Sequence, residues 1–277
     1  MPTPNYVPAS FQLPGNVVTE LQKADGILNV GNSAQQLGLA LLKEIQKSKP
    51  ESFHRWVTYF LFTKAFKSFQ AAQILCRCGY GSDALSLCAV LFEDLVDLLY
   101  IGKAPVRRSR RYAEFEQVGK YYQALKVLGQ RRLPKGRRKI YKNYASALFP
   151  QVKHLLAHYP NKSLGWSQKS LFDRARSVKA ALAYQELYWV FCAHKHTLPM
   201  AAAGLAIPPE GYLNFTTGPD IKGVCDALEQ STKLFLSICL MIDGAFDLSL
   251  RPKIDSCLSE LSRVIAAVRK QHPSMFR

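Results

Sequence analysis

The sequence lacks the short motifs that mark common catalytic and cofactor-binding loops. It contains no GxxxxGK[ST], no GxGxxG after a strand, no HExxH and no GxSxG. These patterns position phosphates, dinucleotides, zinc or a nucleophilic serine. Nucleotide hydrolysis, dinucleotide chemistry, zinc-protease and α/β-hydrolase activities therefore lose support. No cofactor is predicted, and the sequence leaves open whether the chain is an enzyme.

Long apolar segments are also missing. The longest apolar runs, 85–92 and 234–242, are much shorter than the ~20 residues that span a bilayer, and acidic residues end both. The first fourteen residues are rich in proline and uncharged, unlike the basic and then apolar start of a secretory signal. We therefore expect a soluble, cytoplasmic protein without a transmembrane segment.

The cysteines give no sign of cross-linking or metal binding. Their number is seven, which is odd, and most of them lie at small apolar positions within helical patterns. Disulfides are therefore not indicated. Cys76 and Cys78 form a CxC sequence, but no second cysteine pair completes the spacing of a structural zinc site. No metal site is predicted.

Positive charge is concentrated in the middle third of the chain. The formal net charge is +17. Residues 103–196 hold 21 Lys/Arg against 4 Asp/Glu, whereas the remaining residues hold 16 of each sign. Residues 103–142 alone, the basic segment, carry 14 basic and 2 acidic side chains, a net of +12. A segregated patch of this kind attracts polyanions by steering and counterion release.

The basic segment is therefore expected to dock the backbone of RNA or single-stranded DNA. The predicted contact residues are Arg107, Arg108, Arg110, Arg111, Arg131, Arg132, Arg137 and Arg138. Aromatic residues lie among these charges: Tyr112, Phe115, Tyr121, Tyr122, Tyr141 and Tyr144. They are able to stack on unpaired bases. They fit equally well as the buried stripe of amphipathic helices whose basic face is merely solvated.

Apolar residues at helical spacing predict an all-α fold, a single multi-helix bundle. The expected helices span 17–30, 34–48, 52–78, 82–101, 108–128, 136–158, 168–196, 220–248 and 253–270. Four prolines in residues 1–15 oppose regular helix, so this segment is expected to be a flexible arm before one helical domain, 16–277. Residues 199–218 are rich in proline and glycine and are predicted to form a loop.

Three acidic residues, Glu93, Asp94 and Asp97, lie beside the apolar stripe of one predicted helix. Glu93 and Asp97 are four residues apart and share a face, where like charges repel unless a cation or proton intervenes. The expected partners are arginines of the basic segment or a histidine from another helix. An ordinary solvated acidic face is the alternative.

A second polar group closes a strongly apolar helix. The run from Tyr188 ends in Cys192, His194, Lys195 and His196. A histidine in the last helical turn is favoured by the helix dipole. The imidazole of His196 is also able to transfer a proton near neutral pH.

Glu93 and His196 are thus the candidate catalytic residues of an RNA-directed protein, and we expect them to be spatial neighbours. The alternative is a non-enzymatic helical interaction protein in which the same two residues form a buried polar link.

Two segments together resemble a known family. DALSLCAVLFEDLVDLLYI, followed by Trp166 and then YQELYWVFCAHKHTLP, is similar to the bacterial domain-of-unknown-function family numbered 5677. The most specific features are the pairs Phe92-Glu93 and Lys195-His196. The resemblance implies a helical protein without an established activity. That family commonly has an arginine four residues before the glutamate, where this chain has Ala89, and the difference weakens any arginine-based mechanism.

More distantly, the arrangement is similar to HEPN-type helical domains, many of which are RNA-cleaving toxins or defence effectors that act as dimers. This similarity implies a weak ribonuclease or defence-effector function and a homodimer, by analogy of fold alone. The hallmark of those domains is an arginine followed about four to six residues later by a histidine on one helix. No arginine and histidine of this chain have that spacing, so the arginine of such a site would come from elsewhere in the fold.

Overall fold

The computed structural model describes residues 13–48, 52–196, 219 and 221–276. Within these ranges the chain is an all-α, multi-helix bundle with no strand, which confirms the predicted fold class. The helices are α1 (Gly15–Gln22), α2 (Asp25–Ser48), α3 (Phe53–Arg77), α4 (Gly81–Gly102), α5 (Pro105–Leu128), α6 (Lys135–Val152), α7 (Leu171–Ser177), α8 (Ala181–Ala183), α9 (Trp189–Lys195), α10 (Val224–Phe246) and α11 (Arg251–Gln271). A π-helical turn, Tyr184–Tyr188, joins α8 to α9.

The centre of the bundle is formed by α3, α4 and α10, which pack on one another. The rings of Phe69 and Phe235 stack with centroids 4.3 Å apart and nearly parallel planes, and Phe62 and Phe66 pack around Phe235. Burying a side chain of this size contributes roughly 1.5–3 kcal/mol. A Cβ atom at Gly38 of α2 would lie only 2.7 Å from the Phe66 ring, so glycine allows α2 to approach this centre closely.

The other helices cover the three central ones. α2 and α11 pack on each other and on α10, whereas α7 and α9 pack on α4. α5 lies against α3 and α4, and α6 packs on α5. Together α5 and α6 form a helical hairpin, the basic hairpin. This hairpin has a small core of its own, in which Val118, Val152 and Tyr159 are completely buried.

Tyr159 fastens this small core by two hydrogen bonds. Its hydroxyl donates to the carbonyl oxygen of Arg111 over 3.0 Å. The Tyr122 hydroxyl donates to the carbonyl oxygen of Tyr159 over 2.8 Å. The segment after α6 is thereby tied back to α5.

Three predicted helix boundaries differ from the structure. The first break lies at residues 23–24 rather than 31–33, because Gly31 makes room for the Gln73 side chain inside α2 instead of ending a helix. The predicted helix 168–196 is interrupted at Lys179, which has a positive φ of 64°. α6 ends at Val152, two residues after Pro150, and not at residue 158.

Two other predictions fall largely outside the described residues. Residues 1–12 of the expected arm are not described, and Gly15 at its end already begins α1. The expected loop 199–218 also lies outside the described residues. The assignment of 16–277 to one domain stays a prediction.

Cross-links and membrane spans are absent from the described residues. All seven cysteines are free, and Cys76, Cys88, Cys225 and Cys239 are buried. Among the helices whose bounds are given above, none combines the length and the apolar character needed to cross a bilayer.

Candidate functional site

Glu93, Asp94 and Asp97 of α4 are each paired with a cation from a different helix. The Nζ of Lys64 on α3 lies 2.7 Å from an Asp94 oxygen, the Nε of Arg174 on α7 lies 2.9 Å from an Asp97 oxygen, and the Nζ of Lys195 on α9 lies 2.9 Å from a Glu93 oxygen. We call Glu93, Asp94 and Asp97 the acid cluster. Its cations therefore come from outside the basic segment, and none of these three is a histidine.

Asp94 is the most deeply buried member of the acid cluster, with 2% of its surface exposed. Burial raises its pKa to about 6, and this effect outweighs the hydrogen bond and charge of Lys64, which lower it. Its second oxygen, Oδ2, has no hydrogen-bond partner within the described ranges. A carboxyl group in this state binds a proton at a higher pH than an exposed aspartate does.

Asp97 lies in an aromatic pocket. The indole N–H of Trp166 donates to its Oδ2 over 3.3 Å, and the Tyr112 ring packs edge-on against Trp166 at 5.3 Å. Burial raises the pKa of Asp97 despite the neighbouring Arg174. Burial and the nearby Asp97 and Asp94 carboxyls raise the pKa of Tyr112 to about 12. This part of the site is an internal polar network with little access to solvent.

Glu93 is the more accessible end of the acid cluster. Its side chain is 33% exposed, as is that of Lys195. The hydroxyl of Tyr188, in the π-helical turn, donates to Glu93 over 2.7 Å. The ring of Tyr188 packs against Phe92 at 5.3 Å. Burial raises the pKa of this phenol, and its hydrogen bond to Glu93 acts in the same direction.

His196 lies at the end of α9, next to this contact in the chain. It is exposed, and its backbone N–H donates to the carbonyl oxygen of Cys192 over 2.9 Å. The contacts that the structure gives Glu93 come from Lys195 and Tyr188. A direct pairing of Glu93 with His196 stays a prediction. Burial lowers the pKa of the neighbouring His194, which favours its neutral form.

The predicted arginines of the basic segment fall into two groups. Arg107, Arg110, Arg131, Arg132 and Arg137 are exposed, and Arg111 is half-buried. Arg108, which is half-buried, and Arg138, which is exposed, both bond to backbone. The guanidinium of Arg108 donates to the Tyr100 carbonyl oxygen and lies over the Tyr100 ring. Arg138 donates to the carbonyl oxygens of Leu128 and Gln130, each over 3.2 Å.

Most aromatic residues of the basic segment are packed rather than presented to solvent. Tyr112 lies against Trp166, Phe115 lies against Tyr159, and Tyr122 donates to the backbone. Among the six predicted stacking residues, Tyr144 is exposed. Most of these rings therefore belong to the packed side of amphipathic helices, as the alternative interpretation of the sequence had it.

The cations of the acid cluster are not predicted from the sequence. Lys64, Arg174 and Lys195 lie in three segments that are far apart in the chain. A weak signal was available in α3, which contains no acidic residue within reach of Lys64 at helical spacing. In the described part of the chain, no group of three or more His, Cys, Asp or Glu side chains is placed to hold a metal ion.

The structure thus defines an all-α protein with an ion-paired acid cluster in its core and a basic hairpin at its side. The family of unknown function DUF5677 matches residues 55–210, which is more than half of the chain, and the protein belongs to that family. The match contains α4 and α9, so it includes the Glu93–Lys195 ion pair. Neither the curated proteins nor the solved structures include a match.

Proposed function

We propose that this protein is an RNA-associated helical protein that docks the phosphate backbone through its basic hairpin. The observation that carries the proposal is that the basic side chains of this segment are exposed to solvent. Twelve of the fourteen Lys and Arg residues in 103–142 are exposed, and Arg108 and Arg111 are the half-buried pair. A surface with this density of cations binds polyanions through the release of condensed counterions.

The acidic residues of the segment offset little of this charge. Glu116 pairs with Lys120 at 2.6 Å on the surface of α5. An oxygen of Glu114 lies 3.5 Å from the Tyr159 hydroxyl, within the small hairpin core. The connection between α5 and α6 carries Arg131 and Arg132, both exposed. The end of the hairpin is therefore positive without a compensating carboxylate nearby in sequence.

A salt titration tests the proposal. The affinity of the wild type for a labelled single-stranded RNA is measured by fluorescence anisotropy at several salt concentrations. Replacing Arg131, Arg132 and Arg137 by glutamine should weaken binding and reduce the slope of log K against log salt by about 2. The matched control replaces three basic residues of α11 by glutamine: Arg251, Lys253 and Arg263. Equal loss in both variants, or binding that is independent of salt, would contradict the proposal.

RNA cleavage is examined on the same samples. General acid–base catalysis would require a proton acceptor and a proton donor within reach of the 2′-hydroxyl and the leaving oxygen. Glu93 and His196 are the candidates. Cleavage that is lost in both Glu93→Gln and His196→Gln, with RNA affinity retained, would assign them these roles. Cleavage that persists in both variants would show that neither residue is required for it and would contradict these roles.

The second candidate function is a non-enzymatic interaction protein. The observation that favours it is the ion pairing of the acid cluster, in which each carboxylate has its own cation. Such a network stabilises the packing of α3, α7 and α9 on α4 without any substrate. If the protein is purified after nuclease treatment and binds no RNA even at low salt, the result would favour this second function over the first.

A further inference from the structure

An exposed ladder of three aromatic rings runs along the first turns of α3. Phe53, Trp56 and Phe60 are 52%, 54% and 47% exposed. Their rings are nearly parallel, with interplanar angles of 13° and 7° and centroids 6.5 and 6.2 Å apart. Large apolar side chains that are exposed in a contiguous group mark interaction surfaces. We call these three residues the aromatic ladder.

The charges around the ladder select the kind of partner. Lys67 follows Phe60 at helical spacing, is exposed, and lies on the same stripe of α3 as the ladder. Lys64 lies on this stripe too, but its ammonium group is paired with Asp94. α3 contains no Asp or Glu over its whole length. A self-associating apolar face has no need of adjoining cations, whereas nucleic acids and anionic lipid surfaces both attract them. The RNA docking proposed for the basic hairpin favours a nucleic acid.

The helix that carries the ladder also packs on the basic hairpin. The Nδ1 atom of His54, the residue after Phe53, lies 3.0 Å from the hydroxyl of Ser109 on α5. Arg107 and Arg110 are within one helical turn of Ser109, and both are exposed. The first turn of α3, where the ladder begins, therefore packs on the turn of α5 that carries Arg107 and Arg110.

We propose that the aromatic ladder is a stacking platform for unpaired bases, so that the polyanion bound by this protein is single-stranded RNA. This inference rests on the proposed function. Bases present a flat π face that stacks on aromatic side chains regardless of sequence, while neighbouring cations contact the phosphates. In duplex RNA the bases are already stacked on each other, so no base face is free to stack on the ladder.

The test compares a single-stranded oligouridine with an RNA duplex of similar length, by anisotropy at several salt concentrations, and the affinities are compared at the lowest of them. Wild type should bind the single strand at least ten-fold more tightly than the duplex. Replacing the three ladder residues by alanine should weaken single-strand binding at least ten-fold, change duplex binding by less than two-fold and leave the salt slope unaltered. Trp189→Ala is the matched control, because this tryptophan on α9 is 57% exposed and lies outside the ladder; it should leave single-strand binding unchanged.

The outcomes separate the two proposals. If wild type binds no RNA, the proposed function fails together with this inference. If wild type binds RNA through the hairpin arginines but the alanine variant binds both forms normally, the aromatic-ladder inference alone is overturned. The inference is equally overturned if the variant retains RNA affinity but converts a dimer to a monomer in sedimentation, or loses binding to anionic vesicles, because the ladder would then contact a second copy or a lipid surface. Circular dichroism confirms that each variant is folded.

Discussion

The ammonium nitrogen of Lys195 lies 2.9 Å from Oε1 of Glu93, and this ion pair joins two helices that are separated by 102 positions in the sequence. The Tyr188 hydroxyl donates to the same oxygen. Both pairs that carry the family resemblance, Phe92-Glu93 and Lys195-His196, therefore meet at one place in the fold. The contact links α9, together with the π-helical turn before it, to the centre of the bundle.

Substitutions of Glu93 should distinguish how much its ion pair with Lys195 and its hydrogen bond with Tyr188 each contribute to stability. Glu93→Gln retains an acceptor for Tyr188 and should reduce the free energy of unfolding by less than about 1 kcal/mol, as is typical of a partly exposed ion pair. Glu93→Ala also leaves the Tyr188 hydroxyl without its acceptor and should cost a further ~1–2 kcal/mol. Urea denaturation measures both values.

His196→Gln provides the control for this series. Because His196 is exposed, the change should alter the free energy of unfolding by less than about 0.5 kcal/mol. A loss as large as that of Glu93→Ala would instead support the predicted structural link between Glu93 and His196.

Asp94 should make stability depend on pH. Its pKa is raised to about 6 in the folded protein, so the folded state binds this proton more tightly than the unfolded chain does. The stabilising contribution is complete below the unfolded pKa of about 4 and is lost as pH rises through the folded value. The facing groups are Lys64, Asp97, Glu93 and Tyr112, and they are present in wild type and in Asp94→Asn alike.

Asp94→Asn cannot titrate at this position. Relative to wild type, its free energy of unfolding should therefore rise by up to about 3 kcal/mol between pH 4 and 7. Urea titrations of both proteins at several pH values measure this difference. A constant difference, or one that falls with pH, would contradict the burial argument for Asp94.

Removal of Arg174 should be strongly destabilising. Arg174 and Asp97 are both mostly buried and form an ion pair, and Arg174→Met would leave the Asp97 carboxyl with the Trp166 indole as its remaining partner in the described network. We expect a loss of about 2–4 kcal/mol, because an unpaired buried charge is costly. Arg176→Met removes an exposed arginine of the same helix and should cost less than about 0.5 kcal/mol. Thermal or urea unfolding that gives equal losses would exclude the proposed role of burial.

Neighbouring arginines of the basic hairpin should differ in effect. Arg138 donates to two carbonyl oxygens at the end of α5, so Arg138→Met should lower the free energy of unfolding by about 1 kcal/mol. Arg137→Met removes the same charge from an exposed position and should leave stability within about 0.5 kcal/mol of wild type. Both variants should reduce RNA affinity, so stability and affinity together distinguish the two roles. Equal destabilisation by Arg137→Met and Arg138→Met would argue against a stabilising role for the hydrogen bonds of Arg138.

The central helices could be predicted from sequence because their residues are apolar at helical spacing. α3, α4 and α10 begin and end within a few residues of their predicted positions. The errors came from residues whose conformation depends on distant partners. A glycine such as Gly31 is typical of a helix end, but here it lies inside α2. The Gln73 side chain of α3 occupies the space that a Cβ atom at position 31 would need. Lys179 adopts a positive φ, which nothing in the residue type favours.

The acid cluster was only half predictable. Its three carboxylates are neighbours in the sequence, so their shared surface followed from helix geometry alone. Their cations lie on α3, α7 and α9, and pairing at such separations is set by tertiary packing. The same holds for the basic segment, where sequence gave equal weight to Arg137 and Arg138 although Arg138 bonds to backbone carbonyls.

The separate small core of the basic hairpin has a dynamic consequence. The main apolar cluster reaches α5 through Tyr112 and Phe115, whereas Val152 of α6 is buried in the small core with Val118 and Tyr159. Helices with few buried contacts open in local fluctuations well below the free energy of global unfolding. Amide hydrogens of α6 should therefore exchange with solvent much faster than those of α4 and α10. The ratio of the two exchange rates measures how much less free energy is needed to open the hairpin than to unfold the centre of the bundle. The surface that would meet RNA is thus one that can rearrange while the rest of the bundle stays folded.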